Sequence, residues 1–231
     1  MLLKFYQKLD DAISYLAASF CNEKKLIKSI LGNKKICYVD IGTNHGSYID
    51  FLSSFYNFKK IYSFEPIPEL CEKLNKNYSN LKIKTFKIAL SNTNKKKFFY
   101  KYKISSQSSL YPQNNTFKSL KKLEKKIIVQ TKKFDDIFDK SQVIDYCKID
   151  VQGEEINLLK GMGKNLSKKR IKLIKIELTS VSLYKNVRPN TYKILDYLKK
   201  KGYNLVSISK IKFKNNKILF MDAFFEPTKR M

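Results

Sequence analysis

Apolar residues recur along this chain in two rhythms. Short unbroken runs such as Ile36-Cys37-Tyr38-Val39 have the length and β-branched or aromatic character of strands buried on both faces, and spacings of three and four mark amphipathic helices between them. The series Leu2, Phe5, Leu9, Ile13, Leu16, Phe20 predicts a helix over 2–20, and a second over 22–31 ends at Gly32-Asn33. Strands are predicted at 36–41, 61–64, 83–90, 143–149 and 173–178. Helices are predicted at 47–56, from Pro66 and Pro68 to about Tyr78, from Val151 through Leu159 with Gly161 and Gly163 closing it, and at 191–201 stopped by Gly202. The alternation Phe98, Tyr100, Tyr102, Ile104 reads as an inserted β-ribbon, residues 105–126 as a long polar loop, an apolar segment follows at 127–131, and 134–138 reads as a short helix. Two last strands, 203–211 and 218–225, flank the hairpin turn Lys214-Asn215-Asn216-Lys217 and are therefore antiparallel. Alternating β and α units that end in a hairpin describe an α/β fold, an open, mostly parallel sheet with one reversed strand. The expected organisation is a helical extension over 1–32 and one domain over 33–231. The extension is either a cap on that domain or the contact of a homo-oligomer.

Charge widens the picture without deciding it. The net charge is +27, yet only Arg170, Arg188 and Arg230 among the 47 basic residues are arginine, the side chain that reads bases and grips phosphate bidentately. Lysine, asparagine, isoleucine, phenylalanine and tyrosine are abundant together, as in coding by an AT-rich genome. The lysines either cover a solvated surface or meet a nucleic acid, another polyanion or an anionic membrane. No run of eighteen apolar residues exists, and Lys4, Lys8, Asp10 and Asp11 interrupt the first twenty residues, so neither a membrane span nor a signal peptide is expected and the expected location is cytoplasmic. Cys21, Cys37, Cys71 and Cys147 are scattered singly, which gives neither zinc-site spacing nor a disulfide frame.

Chemistry concentrates in Asp40-Ile41-Gly42-Thr43-Asn44-His45-Gly46 and, about twenty residues on, Phe64-Glu65-Pro66. A strand, a glycine-bearing turn, a helix and a second strand ending in an acid form a nucleotide-binding βαβ unit, in which the acid meets the hydroxyls of a ribose. The spacing Asp-x-Gly-x-x-x-Gly lacks the glycine that lets a pyrophosphate approach. A ligand with an adenosine and no phosphates fits better, and S-adenosyl-L-methionine is the commonest such cofactor.

The order of Asp40 to Gly46, Phe64-Glu65-Pro66, Ala89-Leu90-Ser91, Ser108-Ser109-Leu110, Phe134-Asp135-Asp136 and Lys148-Ile149-Asp150-Val151-Gln152-Gly153-Glu154, with Glu177, resembles the FkbM family of S-adenosylmethionine-dependent methyltransferases. The match runs from about residue 36 to 180, and Lys-Ile-Asp-Val-x-Gly-x-Glu is its most particular phrase. The resemblance implies a Rossmann-like class I fold with a seven-stranded sheet, and methyl transfer to a hydroxyl on a sugar, polyketide or other small metabolite. Asp40 then orients the loop toward the ammonium end of the cofactor, Gly42, Asn44 and Gly46 lie against it, and Glu65 with Pro66 holds the ribose. Ala89 and Leu90 meet the adenine edge. Asp150, also counted with the cofactor contacts, and Glu154 are candidates for removing the acceptor proton, with Glu177 as acceptor-binding group or base. The structural alternatives are a helix N-cap for Asp150, a first-turn acid for Glu154 and a salt bridge for Glu177. His45, the sole histidine, and the loop serines Ser108 and Ser109 complete the set.

The family usually has glutamate where this chain has Gln152. That departure removes a charge from any cation site built on Asp150, Glu154 and Glu177, and no metal is expected. It also motivates a non-catalytic cofactor-binding module as an alternative, beside a methyltransferase acting on RNA.

Overall fold

The computed structural model describes residues 23–114, 122–138, 142–189, 191–214 and 216–228; the expected helix over 2–20 lies outside them. In chain order the elements are α1 (23–31), β1 (Ile36–Ile41), α2 (Ser47–Ser53), β2 (Phe58–Phe64), α3 (Pro68–Asn77), β3 (Ile83–Phe86), β4 (Ala89–Leu90), β5 (Lys96–Tyr102), β6 (Leu123–Lys132), β7 (Ile144–Ile149), α4 (Glu155–Gly161), α5 (Gly163–Ser167), β8 (Ile171–Thr179), α6 (Thr191–Lys200), β9 (Tyr203–Lys214) and β10 (Lys217–Pro227). Seven strands form one sheet in the order β3-β2-β1-β7-β8-β10-β9. Every pairing is parallel except those of β10 with β8 and with β9.

Both faces of this sheet are covered. Val39, Ile41, Cys147, Ile149, Ile174, Ile176, Ala223 and Phe225 point to one side and pack against Leu158, Leu166, Ile194 and Leu198 of α4, α5 and α6. Tyr38, Tyr146, Leu173 and Phe224 point to the other and meet Ile27 and Leu31 of α1, Ile49 and Leu52 of α2 and Leu74 of α3. Burial on two sides is why β1 and β7 read as apolar runs and not as alternations. Helix α1 contributes to the same core as the sheet. Among the described residues no helix is long and apolar enough to cross a membrane.

Several boundaries differ from the sequence expectation, each for a local reason. The third strand is two strands: Ile83–Phe86 joins the main sheet, whereas Ala89–Leu90 pairs with Thr131 and Lys132 in a separate three-stranded sheet, β4-β6-β5. A two-residue period shows that a segment is extended but not which neighbour it pairs with. Helix α2 stops at Ser53 because Ser53 and Ser54 donate their hydroxyls to the Ile49 and Phe51 carbonyls at 2.7 Å, diverting acceptors of the last turn. Residues 123–126 belong to β6, not to a loop, and residues 105–114 are tied down by a short 3₁₀ turn, Ser105–Gln107, and by bridges of Ser109 to Tyr100 and Gln113 to Tyr184. The helix expected from Val151 begins at Glu155 and contains Gly161.

Gly161 is fixed by packing and not by termination. A Cβ placed on it would sit 2.2 Å from the Ser91 carbonyl oxygen, where β4 ends, so only glycine lets α4 approach the strand. Gly161→Ala should therefore destabilise the fold by about 1–3 kcal/mol, the usual magnitude of overpacking, although alanine gains about 1 kcal/mol in helix propensity. Urea unfolding of the two proteins measures the sign.

Candidate active site

The strand order reverses between β1 and β7, and open α/β sheets bind ligands beyond the carboxyl ends of the strands at such a point. Two clefts open there and share Ser106, Asp150 and Gln152.

The first, of about 620 Å³, is lined by Gly42, Asn44, Glu65, Pro66, Ala89, Leu90 and Asp150, seven of the sequence candidates for cofactor contact. Asp40 and Gly46 lie behind it. Asp40 is fully buried, with Oδ1 3.4 Å from Lys148 Nζ and Oδ2 without a hydrogen-bond partner among the described residues. Burial raises its pKa and Lys148 opposes the rise. Gly46 is covered by Tyr78, whose hydroxyl donates to the Gly46 carbonyl at 2.9 Å. Gly42 has φ of 78°, and a Cβ there would lie 1.9 Å from the Asp150 carbonyl oxygen, so this glycine seats the β1 turn against the end of β7.

Glu65 accepts the Asn44 amide on Oε2 and the Ile67 amide on Oε1, both at 2.9 Å, and each oxygen retains a further acceptor position. Burial pushes its carboxyl up to about 7 against the pull of those amides. Beside it, Ile67, Phe99, Leu110 and Val151 make an apolar slot. A carboxylate with spare acceptor positions next to such a slot fits the ribose hydroxyls and flat base of an adenosine.

Glu154 closes the far side of this cleft and is locked. Its Oε1 accepts from Ser91 Oγ at 2.5 Å and from Lys97 Nζ at 3.2 Å, and its Oε2 accepts from the Tyr111 hydroxyl and from Asn157 Nδ2 at 3.1 Å. It caps no backbone amide with its side chain, although it occupies the N-cap position of α4. Asp150, four residues earlier, is likewise not a helix cap. The following acid, Glu155, is the one that accepts a nearby amide, that of Gly153 at 3.0 Å to both oxygens, and burial pushes it up to about 7.

Gln152 joins Asp150 to Glu177. Its Nε2 donates to Asp150 Oδ1 at 2.6 Å and to Glu177 Oε2 at 3.0 Å, while its Oε1 accepts from the Tyr184 hydroxyl at 2.7 Å and its carbonyl from Ser109 Oγ at 2.6 Å. Burial, then Asp150, Glu155 and Asp222, hold the Glu177 carboxyl well above the usual carboxylate range. Asp150 also faces Lys148 Nζ at 3.6 Å. The second cleft, of about 970 Å³, lies over this cluster and is walled by Gln107, Gln113, Asn114, Tyr184, Leu183 and Phe220.

His45 lines neither cleft and stands 3.1 Å from Ser105 Oγ. Ser108 lines the first cleft and accepts the Tyr102 amide, and Ser109 is buried under Gln152. Tyr184 and Lys148 had no assigned role in the sequence reading. Lys148 leaves a signal, a lone cation in the apolar run of β7; Tyr184 leaves none, because its loop pairs with a segment about seventy residues earlier.

The strand order, the reversed β10 and the clefts at the strand ends define a Rossmann-like class I methyltransferase fold. Residues 40–205 match the model of the methyltransferase FkbM domain. The chain therefore belongs to the FkbM family of S-adenosyl-L-methionine-dependent methyltransferases. Similar solved structures include methyltransferase FkbM from Methylobacillus flagellatus KT, with a TM-score of 0.53 and 15% identity over 83% of this chain and 43% of that one. The chain thus spans less than half the length of that relative. The METTL16 methyltransferase domain has a TM-score of 0.51 at 14% identity, over 91% and 68% of the two chains. Magnesium protoporphyrin IX methyltransferase from Synechocystis PCC 6803, solved with bound S-adenosylmethionine, has a TM-score of 0.50 at 7% identity, over 93% and 83%. At these identities the likeness is one of fold. No curated protein matches the sequence significantly.

If Glu65 is the ribose acceptor, its raised carboxyl makes cofactor affinity depend on pH, because ribose hydroxyls donate to the ionised form and binding then releases the proton that Glu65 holds below about 7. Affinity for S-adenosylhomocysteine is expected to rise by up to about tenfold per pH unit as pH approaches 7 from below and to level off above it. Calorimetry in buffers of different ionisation enthalpy counts the proton, and Glu65→Gln should flatten the profile.

Proposed function

We propose that the chain transfers a methyl group from S-adenosyl-L-methionine to a hydroxyl oxygen of a sugar, glycan or comparable small polyol. The observation that carries this reading is the meeting of two clefts at Asp150 and Gln152, one suited to an adenosine and the other walled by amides, a tyrosine and a phenylalanine. Amide and hydroxyl groups match the alternating donors and acceptors of a polyol, and Phe220 and Leu183 offer apolar surface to its ring carbons. When bound, the cofactor supplies an activated methyl group; the chain has to align the acceptor oxygen and take its proton.

Asp150 stands at the junction and is the group assigned to accept that proton. Glu177, whose carboxyl burial holds well above the usual carboxylate range, accepts the Gln152 amide or holds an acceptor oxygen, and Gln152 fixes the spacing of the two carboxyls. Glu154, with four donors on it, anchors the wall of the cofactor cleft. A methyltransferase acting on RNA is the second reading, favoured by ten lysines against one acid in residues 95–103 and 122–133. Binding of RNA that falls steeply with salt would support it. A non-catalytic module is excluded by any acceptor that takes a labelled methyl group at a rate Asp150→Asn removes.

Asp150→Asn is expected to lower turnover by about 10²–10⁴, the worth of a general base, while S-adenosylhomocysteine still binds. Labelled-methyl transfer to a glycan panel measures the first and calorimetry the second. Gln152→Glu replaces a double donor by a third carboxyl between two others. Its activity should fall at pH 8 and recover in part at pH 6, where the new group carries a proton; a pH-independent loss would point to misfolding of the loop instead.

A further inference from the structure

The ribbon sheet, β4-β6-β5, has two unlike faces. Phe99 of β5 and Val129 of β6 point inward and pack with Ile67, Leu70 and Ala89. The alternate residues of both strands point away from the molecule, and there Phe98 lies opposite Ile128, Tyr100 opposite Lys126 and Lys96 opposite Gln130. Phe98 is 53% exposed and Ile128 65%, although each has the other as its cross-strand neighbour. Leu123, opposite Tyr102, and Ile104 are exposed at the end where the chain leaves β5. Apolar side chains grouped in this way and rimmed by charge mark an interaction surface.

The rim is of one sign. Residues 95–103 and 122–133 hold ten lysines and a single acid, Glu124, which is held by Lys101 at 2.9 Å. Lys97 pairs with Glu154, and Lys101 and Lys125 pair with Glu69; the other seven lysines make no ion pair among the described residues. Lys126 Nζ stands 3.5 Å from the centroid of the Phe98 ring and 5.5 Å from that of Tyr100. It covers the ring face on which a nucleic-acid base would stack, and Ile128, Leu123 and Ile104 offer no ring at all. Arginine, which grips phosphate bidentately, is absent from residues 95–133. A second copy of the chain would set lysine against lysine. The face does match the boundary of an anionic bilayer, where hydrocarbon lies directly under negative headgroups and lysine stems run along apolar surface while their ammonium groups stay in the polar layer.

We propose that the outer face of the ribbon docks the chain on an anionic lipid surface. Phe98 and Ile128 enter the acyl boundary, and Lys96 and Lys126 meet the headgroups. Ser105 and Ser106 directly follow Ile104 and line the first cleft, and Ser106 lines the second as well, so docking on this face sets the site beside the lipid. The proposal is independent of which acceptor the site takes.

The chain has no tryptophan, so Phe98→Trp gives a single fluorescent reporter on the face; Ile128→Trp replaces it if that variant unfolds early in a thermal scan. Tyr192→Trp, at an exposed position on α6, is the reporter away from the face. Phosphatidylcholine vesicles with and without phosphatidylglycerol are added to each full-length variant. Anionic vesicles are expected to shift the Phe98→Trp emission to the blue and bromine-labelled acyl chains to quench it, with neither effect in Tyr192→Trp. In co-sedimentation, Phe98→Ser combined with Ile128→Ser leaves the charge intact and should weaken vesicle binding by about tenfold or more, as for the lost burial of at least one large apolar side chain. Absence of binding to anionic vesicles overturns the proposal. So does binding without a shift in Phe98→Trp, which reports only the general attraction of a chain of net charge +27. An emission already blue-shifted without vesicles means that the face is covered by protein, and a shift with polyuridylate but not with vesicles assigns it to nucleic acid; either result overturns the proposal as well.

Discussion

A row of buried opposite charges crosses the middle of the sheet, and much of the molecule is arranged to keep it paired. Asp40 on β1, Lys148 on β7 and Lys175 on β8 are neighbours in register, one step beyond the apolar row of Tyr38, Tyr146 and Leu173 on the same face. Isolated, any of these charges would cost several kcal/mol to bury. Glu23 from α1 and Asp222 from β10 complete the pairing, so the first described helix and the final hairpin are bound to the sheet by ions as well as by packing. The tyrosine hydroxyls beneath, Tyr48 to Glu23 and Tyr48 to Tyr146, extend the network into the core. Where this row reaches the strand ends it becomes the floor of the ligand site.

Against a net charge of +27, that site is acidic. Asp40, Glu65, Asp150, Glu154, Glu155, Glu177 and Asp222 are seven of the chain's 20 acidic residues, and they gather at one edge of the sheet. Lys148, Lys175 and Lys210 stand among them and pair part of that charge. The remaining local excess of acid suits a cationic sulfonium cofactor and works against an RNA strand passing over the same strand ends. The surface lysines and the site therefore answer to different demands.

How much of this was legible depended on the range of the interactions. The parallel core strands, the reversed pair at the end and the glycine turn with Glu65 were readable because each is encoded within about twenty residues by apolar runs, turn composition and spacing. The division of the third strand was not, since Ala89 is drawn to Thr131 and nothing near Lys87 announces it. Glu154 was read as a first-turn acid or a proton acceptor, and its engagement by Ser91, Lys97 and Tyr111 joins three distant segments. The bridging role of Gln152 was equally hidden: the sequence offered a missing carboxylate, and only the fold sets its amide between two others.

The ribbon carries one wall of both clefts. Ala89, Leu90 and Phe99 of its sheet line the first cleft, and Ser106, Gln107 and Gln113, on the loop that leaves β5, line the second. The β9–β10 hairpin, by contrast, contributes Lys212, Leu219 and Phe220 to the second cleft and no lining residue to the first. If the first cleft takes the nucleoside and the second the acceptor, as proposed, changes at the hairpin tip alter the acceptor without disturbing the nucleoside contacts, whereas an insertion within the ribbon alters both at once. Acceptor drift among relatives should be written in the last thirty residues before it is written anywhere else.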